Sequence, residues 1–306
     1  VARDLAPPPR ICVVGDLVLD VIAQLHAPLA AGDDVPARTQ LQPGGQAANV
    51  AAWAAHLGAR ARCVAPRGGD DAGRILAAEL AARDVELVGP AARRTGIVVS
   101  LVGADRDRSM ASDRGEPAGL QAADLDAAWF AGQDVVHVSG YLLARDAGGR
   151  AAAVAAAHAR APRSGLSPRP AGAEPQPRAA SASARTLVTL DVSSAALVEQ
   201  VGAAVFRERV RAVAPDVLFA TEAELAALAD GGADAGSTAP VVVVKRGADG
   251  CSVRADGAER HLPAVAATAV DATGAGDAFA AGFLVGGPQL ALEAGARCVA
   301  GVGAMP

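Results

Sequence analysis

Short apolar runs alternating with alanine-rich stretches of helical length predict an α/β chain with a mainly parallel, Rossmann-like sheet. Helices on both faces would make three layers. Bulk composition supports this class: 306 residues, 51% hydrophobic and 20% charged, suffice for one large buried core. Glycine-rich turns at 44–45 and 274–276 each open a helix-like run, and open α/β sheets gather ligands at the carboxyl ends of their strands.

The first strand is expected at 11–14. The segment before it lacks the apolar core of a signal peptide, which points to the cytoplasm. A helix at 47–57, a strand at 61–65 and a helix at 72–83 follow from the change between dense apolar runs and longer Ala-rich periodicity. The alternation resumes with strand 135–138, helix 151–159, strands 187–190 and 217–219, helix 222–229 and strand 241–244. Two regions break it, 17–43 and 93–117; in the second, 97–102 and 108–111 are short runs flanked by polar residues, and the two regions are expected to pair as a small β-sheet. From 161 to 185 the chain is rich in Pro, Ser, Ala and Arg, a composition that buries too little apolar surface to offset its ordering entropy, so a disordered surface insertion is expected. The expected organisation is a single domain over 1–306.

A net charge of −5 and a pI near 5.6 argue against general nucleic-acid or anionic-membrane binding. Aromatic residues at 3% leave no base-stacking platform, and no apolar run is long enough to span a membrane. Cys12, Cys63, Cys251 and Cys298 lack metal-ligand spacing and read as small core residues. The five histidines show no metalloprotease pattern, and neither a G-x-x-x-x-G-K-[ST] loop nor a G-x-G-x-x-G turn after a strand is present. A nucleotide would have to be held another way.

The run 270–283 carries the chemistry. Gly274, Ala275 and Gly276 let a ligand approach the backbone closely, and the first amides of the following helix have no partner inside it. Such a helix start suits a phosphate group. The carboxylate of Asp277 beside it suits a general base that takes a hydroxyl proton as the oxygen attacks a γ-phosphoryl group held by the amides of Ala275, Gly276 and Asp277. The plainer alternative is a packing turn with Asp277 as a helix cap.

Asp271-Ala272-Thr273-Gly274-Ala275-Gly276-Asp277 resembles the D-T-x-G-A-G-D signature of the ribokinase-like (PfkB) carbohydrate kinases, with Ala272 where Thr is usual. Gly44-Gly45-Gln46-Ala47-Ala48-Asn49 resembles a second signature of that family. Further similarity lies at 14–20, 95–96, 114–116, 139–141 and 244–250, so it covers nearly the whole chain. The resemblance implies a ribokinase-like fold whose irregular segments form a lid over a sugar, with ATP and Mg²⁺ as cofactors. It implies transfer of the γ-phosphoryl group to a hydroxymethyl group of a small sugar, with Asp277 as base and Gly274, Ala275 and Gly276 as anion hole.

The resemblance places Asp20 and Asn49 on sugar hydroxyls, with Asp16, Gly44 and Gly45 as further acceptor-site candidates. Their residue types fit polyol recognition, although Asp16 also fits a turn cap. Lys245, Gly247, Gly250 and Thr273 are assigned to the nucleotide; a β-hairpin at 248–254 is the local alternative for the glycines. Glu224 in Thr221-Glu222-Ala223-Glu224 resembles the acid of the family's N-x-x-E segment, which meets Mg²⁺ through water, with Thr221 replacing Asn. Asp271 matches a position near a monovalent-cation site, K⁺ being the candidate, or else caps the turn and orients Thr273. A nucleoside kinase is the nearest alternative, and a sugar-binding or regulatory protein that has lost catalysis is the alternative of another class. An exposed lid edge offers unpaired backbone groups to a second subunit, so a homodimer is also considered.

Overall fold

The computed structural model describes residues 7–29, 31–103, 108–115, 120–144, 147–158, 185–229 and 238–306. Strand β1 (Arg10–Val14) begins the main sheet, and its Ile11, Cys12, Val13 and Val14 are fully buried, as expected for a strand covered on both faces. The chain leaves the sheet for β2 (Val18–Leu25) and β3 (Ala37–Gly44), then returns through α1 (Gln46–His56), β4 (Arg60–Val64), β5 (Arg67–Gly68), α2 (Asp71–Ala81) and β6 (Val85–Val88). A second excursion comprises β7 (Ala91–Ala92), β8 (Gly96–Val102) and β9 (Arg108–Asp113). There follow β10 (Val135–Ser139), α3 (Tyr141–Ala144), α4 (Ala147–His158), β11 (Leu187–Asp191), α5 (Ala195–Val201), α6 (Ala203–Val213), β12 (Val217–Thr221) and α7 (Glu222–Leu228). The chain closes with β13 (Val241–Lys245), the hairpin partners β14 (Cys251–Ala255) and β15 (Ala258–Leu262), and α8 (Ala275–Gly286) and α9 (Pro288–Val299).

The nine-stranded sheet has the order β15-β14-β13-β12-β11-β10-β1-β4-β6, parallel from β13 to β6 and antiparallel only at the β13–β15 edge. Because the chain adds β4 and β6 on one side of β1 and β10 to β13 on the other, the order reverses between β1 and β10. A crevice opens at the carboxyl ends of strands at such a point. Side chains alternate across the sheet. Val13, Cys63, Phe219 and Val243 join the core with α1, α2, α8 and α9, whereas Cys12, Val14, Val138 and Leu190 pack with α3 to α7. The expected three layers are present.

Residues of the two irregular regions form a separate four-stranded sheet, β3-β2-β8-β9, with β2 and β8 parallel and both outer pairs antiparallel. A two-residue β5–β7 ladder runs along the chain leading into its second half. The insertion expected at 161–185 lies outside the described residues apart from Arg185. Helix α4 starts four residues before the expected 151, and α5 and α6 were not anticipated. In α6 the buried Phe206, Val210 and Val213 recur at helical spacing, but four arginine and glutamate residues among them mask the apolar face. All four cysteines are buried and unpaired, in keeping with core positions. Among the described residues no helix is long and apolar enough to cross a membrane.

Candidate active site

Two helix N-termini meet at the crevice. Gly274 caps α8 in the left-handed region at φ 75°, and a Cβ there would come within 2.5 Å of the Ala304 Cβ, so both conformation and space call for glycine. Within the turn, the Ala275 amide donates to the Ala272 carbonyl at 3.3 Å and the Asp277 amide to Gly274 at 3.0 Å. The Gly276 N–H has no acceptor among the described residues. Helix α1 starts from Gly45 at φ 92°, and its first turn presents Asn49, whose Nδ2 donates to Asp277 Oδ2 at 2.7 Å. Burial pushes the Asp277 carboxyl up to about 7. The Asn49 hydrogen bond and Lys245 pull against that rise, and the negative charges of Asp191 and Asp16 reinforce it.

The carboxyl ends of β11, β12 and β13 supply the neighbouring charges. Lys245 Nζ donates to Asp191 Oδ2 at 2.6 Å, and Asp191, whose side chain is fully buried, accepts from the Ser193 amide on Oδ1 at 3.0 Å. Burial works against the ammonium, but Asp191 and Glu224 hold Lys245 above its ordinary range. A Cβ on Gly276 would lie 3.4 Å from Lys245 Nζ, so the ammonium sits directly beside the glycine turn. Thr221 and Glu224 form a reciprocal cap on α7: Glu224 Oε2 accepts from the Thr221 amide at 2.7 Å, and Thr221 Oγ1 from the Glu224 amide at 3.2 Å. Burial raises the Glu224 carboxyl, with Lys245 opposing.

On the other side of the crevice, Asp16 follows β1, and its Oδ2 accepts from Arg114 Nη1 at 3.0 Å. The Arg114 guanidinium lies over the Tyr141 ring at 5.1 Å. A Cβ on Gly44 would fall 2.4 Å from the Asp20 carboxylate, and one on Gly45 2.6 Å from the Asp16 carbonyl, so the paired glycines let β3 close against both acids. Gln46 Oε1 takes hydrogen bonds from Ser139 and Ser193 hydroxyls, each at 2.6 Å, tying α1 to the ends of β10 and β11. A cavity of about 380 Å³, lined by Gly15, Asp16, Arg94, Thr95, Arg114 and Leu142 among others, opens between the two sheets.

The structure thus brings Asp16, Asn49, Asp277, Lys245 and Glu224 to one crevice, with Asp20 and Gly44 on its small-sheet side. Gly247 and Gly250 sit in the β13–β14 hairpin, where Gly250 at φ 88° would, with a Cβ, meet the Leu262 carbonyl at 2.1 Å; that glycine serves the turn itself. Thr273 donates through N and Oγ1 to Asp271 Oδ1 at 2.9 and 2.6 Å, and Gly303 N donates to Asp271 Oδ2 at 2.9 Å. Asp271 therefore orients Thr273 and anchors the C-terminal loop, and a K⁺ ion would have to share oxygens already engaged. For Mg²⁺ the donor set is sparse but suitable: Glu224 has one oxygen bonded to the Thr221 amide, and Mg²⁺ keeps most of its waters. No group of three metal-binding side chains occurs among the described residues. The sequence reading did not single out Asp191, whose only signal is an acid closing the apolar run 187–190. Nor did it assign a role to Arg114.

The profile of the pfkB family carbohydrate kinases matches residues 8–304. An ATP-dependent ribose-1-phosphate kinase of Halopiger xanaduensis is 29% identical over 307 residues, covering 94% of this chain and 90% of that enzyme. Among solved structures, adenosine kinase from Sinorhizobium meliloti superposes with a TM-score of 0.77 at 21% identity, covering 97% of this chain and 96% of the other. Ribokinase from Thermotoga maritima gives 0.72 at 20% identity over 97% and 96%. At these identities the superpositions establish a shared fold.

Proposed function

We propose that this chain, which belongs to the pfkB family of carbohydrate kinases, moves the γ-phosphoryl group of ATP to a hydroxymethyl group of a small sugar or sugar derivative. The observation that carries the proposal is the Asp277 carboxylate at the start of α8, held by Asn49 beside a glycine turn that Lys245 adjoins. An acceptor hydroxyl donates its hydrogen bond to Asp277. As the acceptor oxygen forms its bond to γ-phosphorus, the bond from γ-phosphorus to the β–γ bridging oxygen breaks, its electron pair leaves with ADP, and the hydroxyl proton passes to Asp277. The Gly276 amide, the Gly274-Ala275-Gly276 turn and the Lys245 ammonium face the charge that develops on the transferring group.

Thr273, set by Asp271, and the hairpin glycines border the ground assigned to the nucleotide. Mg²⁺, when bound, neutralises phosphate charge, and Glu224 would reach it through water. The small sheet, closing over the acceptor, would keep water from competing for the phosphoryl group. Tyr141 borders the acceptor side with Arg114 over one face of its ring, and that occupied face, with only 3% aromatic residues in the chain, favours a sugar over a nucleoside. ATP dependence and four unpaired thiols fit the cytoplasm.

ADP release with ATP and Mg²⁺ across pentoses, hexoses, sugar acids, sugar phosphates and nucleosides, with Asp277→Asn alongside, tests the proposal. One preferred acceptor whose turnover falls by about 10²-fold or more in the variant is the expected result. Acceptor binding without turnover would support a sugar-binding protein instead. Unchanged turnover in Asp277→Asn would remove Asp277 from the mechanism.

A further inference from the structure

Two groups lining the cavity between the two sheets take no part in the phosphoryl-transfer step described above. The Asp16 side chain is 2% exposed and accepts one hydrogen bond, on Oδ2; no group among the described residues donates to its Oδ1. A buried carboxylate oxygen left without a donor is unfavourable, and a ligand hydroxyl donating to it would relieve that. Arg114 is its complement. The side chain is 42% exposed, spends Nη1 on Asp16, lies over the Tyr141 ring and lines the same cavity.

If Arg114 served only to neutralise Asp16, a fork of two parallel hydrogen bonds would be the favourable arrangement, because guanidinium and carboxylate match in that way. Arg94 in the same cavity wall shows that arrangement, with both terminal nitrogens on the Asp113 carboxylate. Arg114 gives Asp16 one hydrogen bond instead of a fork and otherwise meets Tyr141, leaving an unused carboxylate oxygen next to a guanidinium whose five N–H groups are not all engaged among the described residues. Tyr141 beneath it fixes its plane, and the neighbouring Gly115 amide is held by Asp113 Oδ1 at 3.0 Å, so the guanidinium is preorganised. A neutral sugar would satisfy Asp16 and leave those donors unmatched. A sugar that also bears an oxyanion satisfies both.

Resting on the kinase reading above, we propose that the acceptor is a small sugar carrying an oxyanion, phosphate or carboxylate, with a hydroxyl on Asp16 Oδ1 and the oxyanion on Arg114. Arg114 is then the residue that separates charged from neutral acceptors.

The test is steady-state ADP release at fixed ionic strength with wild type, Arg114→Gln and Arg114→Lys. The acceptors are ribose, ribose 1-phosphate, ribose 5-phosphate, ribonate, gluconate and adenosine. The best charged acceptor is expected to exceed its neutral parent by roughly 100-fold in kcat/KM, as a bidentate charge-assisted contact allows. Arg114→Gln should remove most of that ratio through KM, and Arg114→Lys should restore part of it, since lysine keeps the charge without the fork. The phosphate and acid arms identify which oxyanion is taken. A neutral sugar or nucleoside as best acceptor, with Arg114→Gln lowering charged and neutral turnover alike, overturns the inference while leaving the kinase reading intact. Were no acceptor turned over, the kinase reading would fall, and calorimetry with the same sugars without ATP would decide this one. Charged-sugar binding weakened about tenfold or more in Arg114→Gln upholds it, and absence of such binding overturns it.

Discussion

The Asn49–Asp277 hydrogen bond sets when the proposed base is ready to act. A base must be ionised, so kcat/KM should rise with pH through the value to which burial pushes Asp277, about 7. The Asn49 amide favours the ionised form, so removing it raises the carboxyl further and moves the acid limb to higher pH. Hydrogen bonds to charged groups contribute about 1.5–3 kcal/mol, which corresponds to a shift of ~1–2 pH units in Asn49→Ala. An acid limb that stays in place or moves down would show that Asn49 does not tune this base. Both residues were legible because each sits inside a short local pattern, a glycine turn opening an apolar helix. Asp191 and Arg114 were not, because their meaning lies in partners 54 and 98 positions away. Sequence spacing carries no signal for a contact made by sheet register and by one sheet crossing to another.

Among the elements, the parallel strands place three polar residues side by side where their apolar runs end. Thr221 pairs in register with Lys245, and Asp191 ends the strand next to β12, so the ammonium, the α7 cap and the buried carboxylate share one edge. Lys245→Met should leave Asp191 buried without its counter-ion, at a cost of about 3–5 kcal/mol. In the double variant Lys245→Met/Asp191→Leu the loss should be smaller than the sum of the two single losses, as denaturant unfolding of all four proteins would measure. Strict additivity would mean that the pair does not couple and that Lys245 is held by something else. The strands themselves could be read from the sequence because burial on both faces makes them continuous apolar runs. The pair α5 and α6 escaped that reading, since Gly202 divides a short helix from one whose apolar stripe is narrow and flanked by charge.

At the scale of the whole molecule, the smaller sheet is tied to the larger body at the crevice, and also by Thr95, just before β8, whose amide donates to Asp70 at the start of α2 at 2.9 Å. Arg114, just after β9, reaches Asp16, just after β1. Gln42 of β3 packs against Gly303, where a Cβ would come within 2.4 Å of its Nε2, and Gly303 is itself held by Asp271. The irregular sequence at 17–43 and 93–117 foretold that these strands stand apart from the main alternation. It left open which would be neighbours, because β2 pairs with β8 across more than seventy residues of intervening chain. A sheet that meets the larger body in part at the proposed ligand site should have its mobility lowered by the ligand. Acceptor binding should therefore slow amide hydrogen exchange in β2, β3, β8 and β9 by about tenfold or more, while the amides of β1, β10, β11 and β12 change little. ATP alone should produce less protection there, because the nucleotide is assigned to the α8 and hairpin side. Hydrogen exchange followed by mass spectrometry would resolve these segments. Equal protection of both sheets would indicate general stabilisation by a bound ligand, and unchanged exchange in the small sheet with acceptor bound would remove its assignment as a lid.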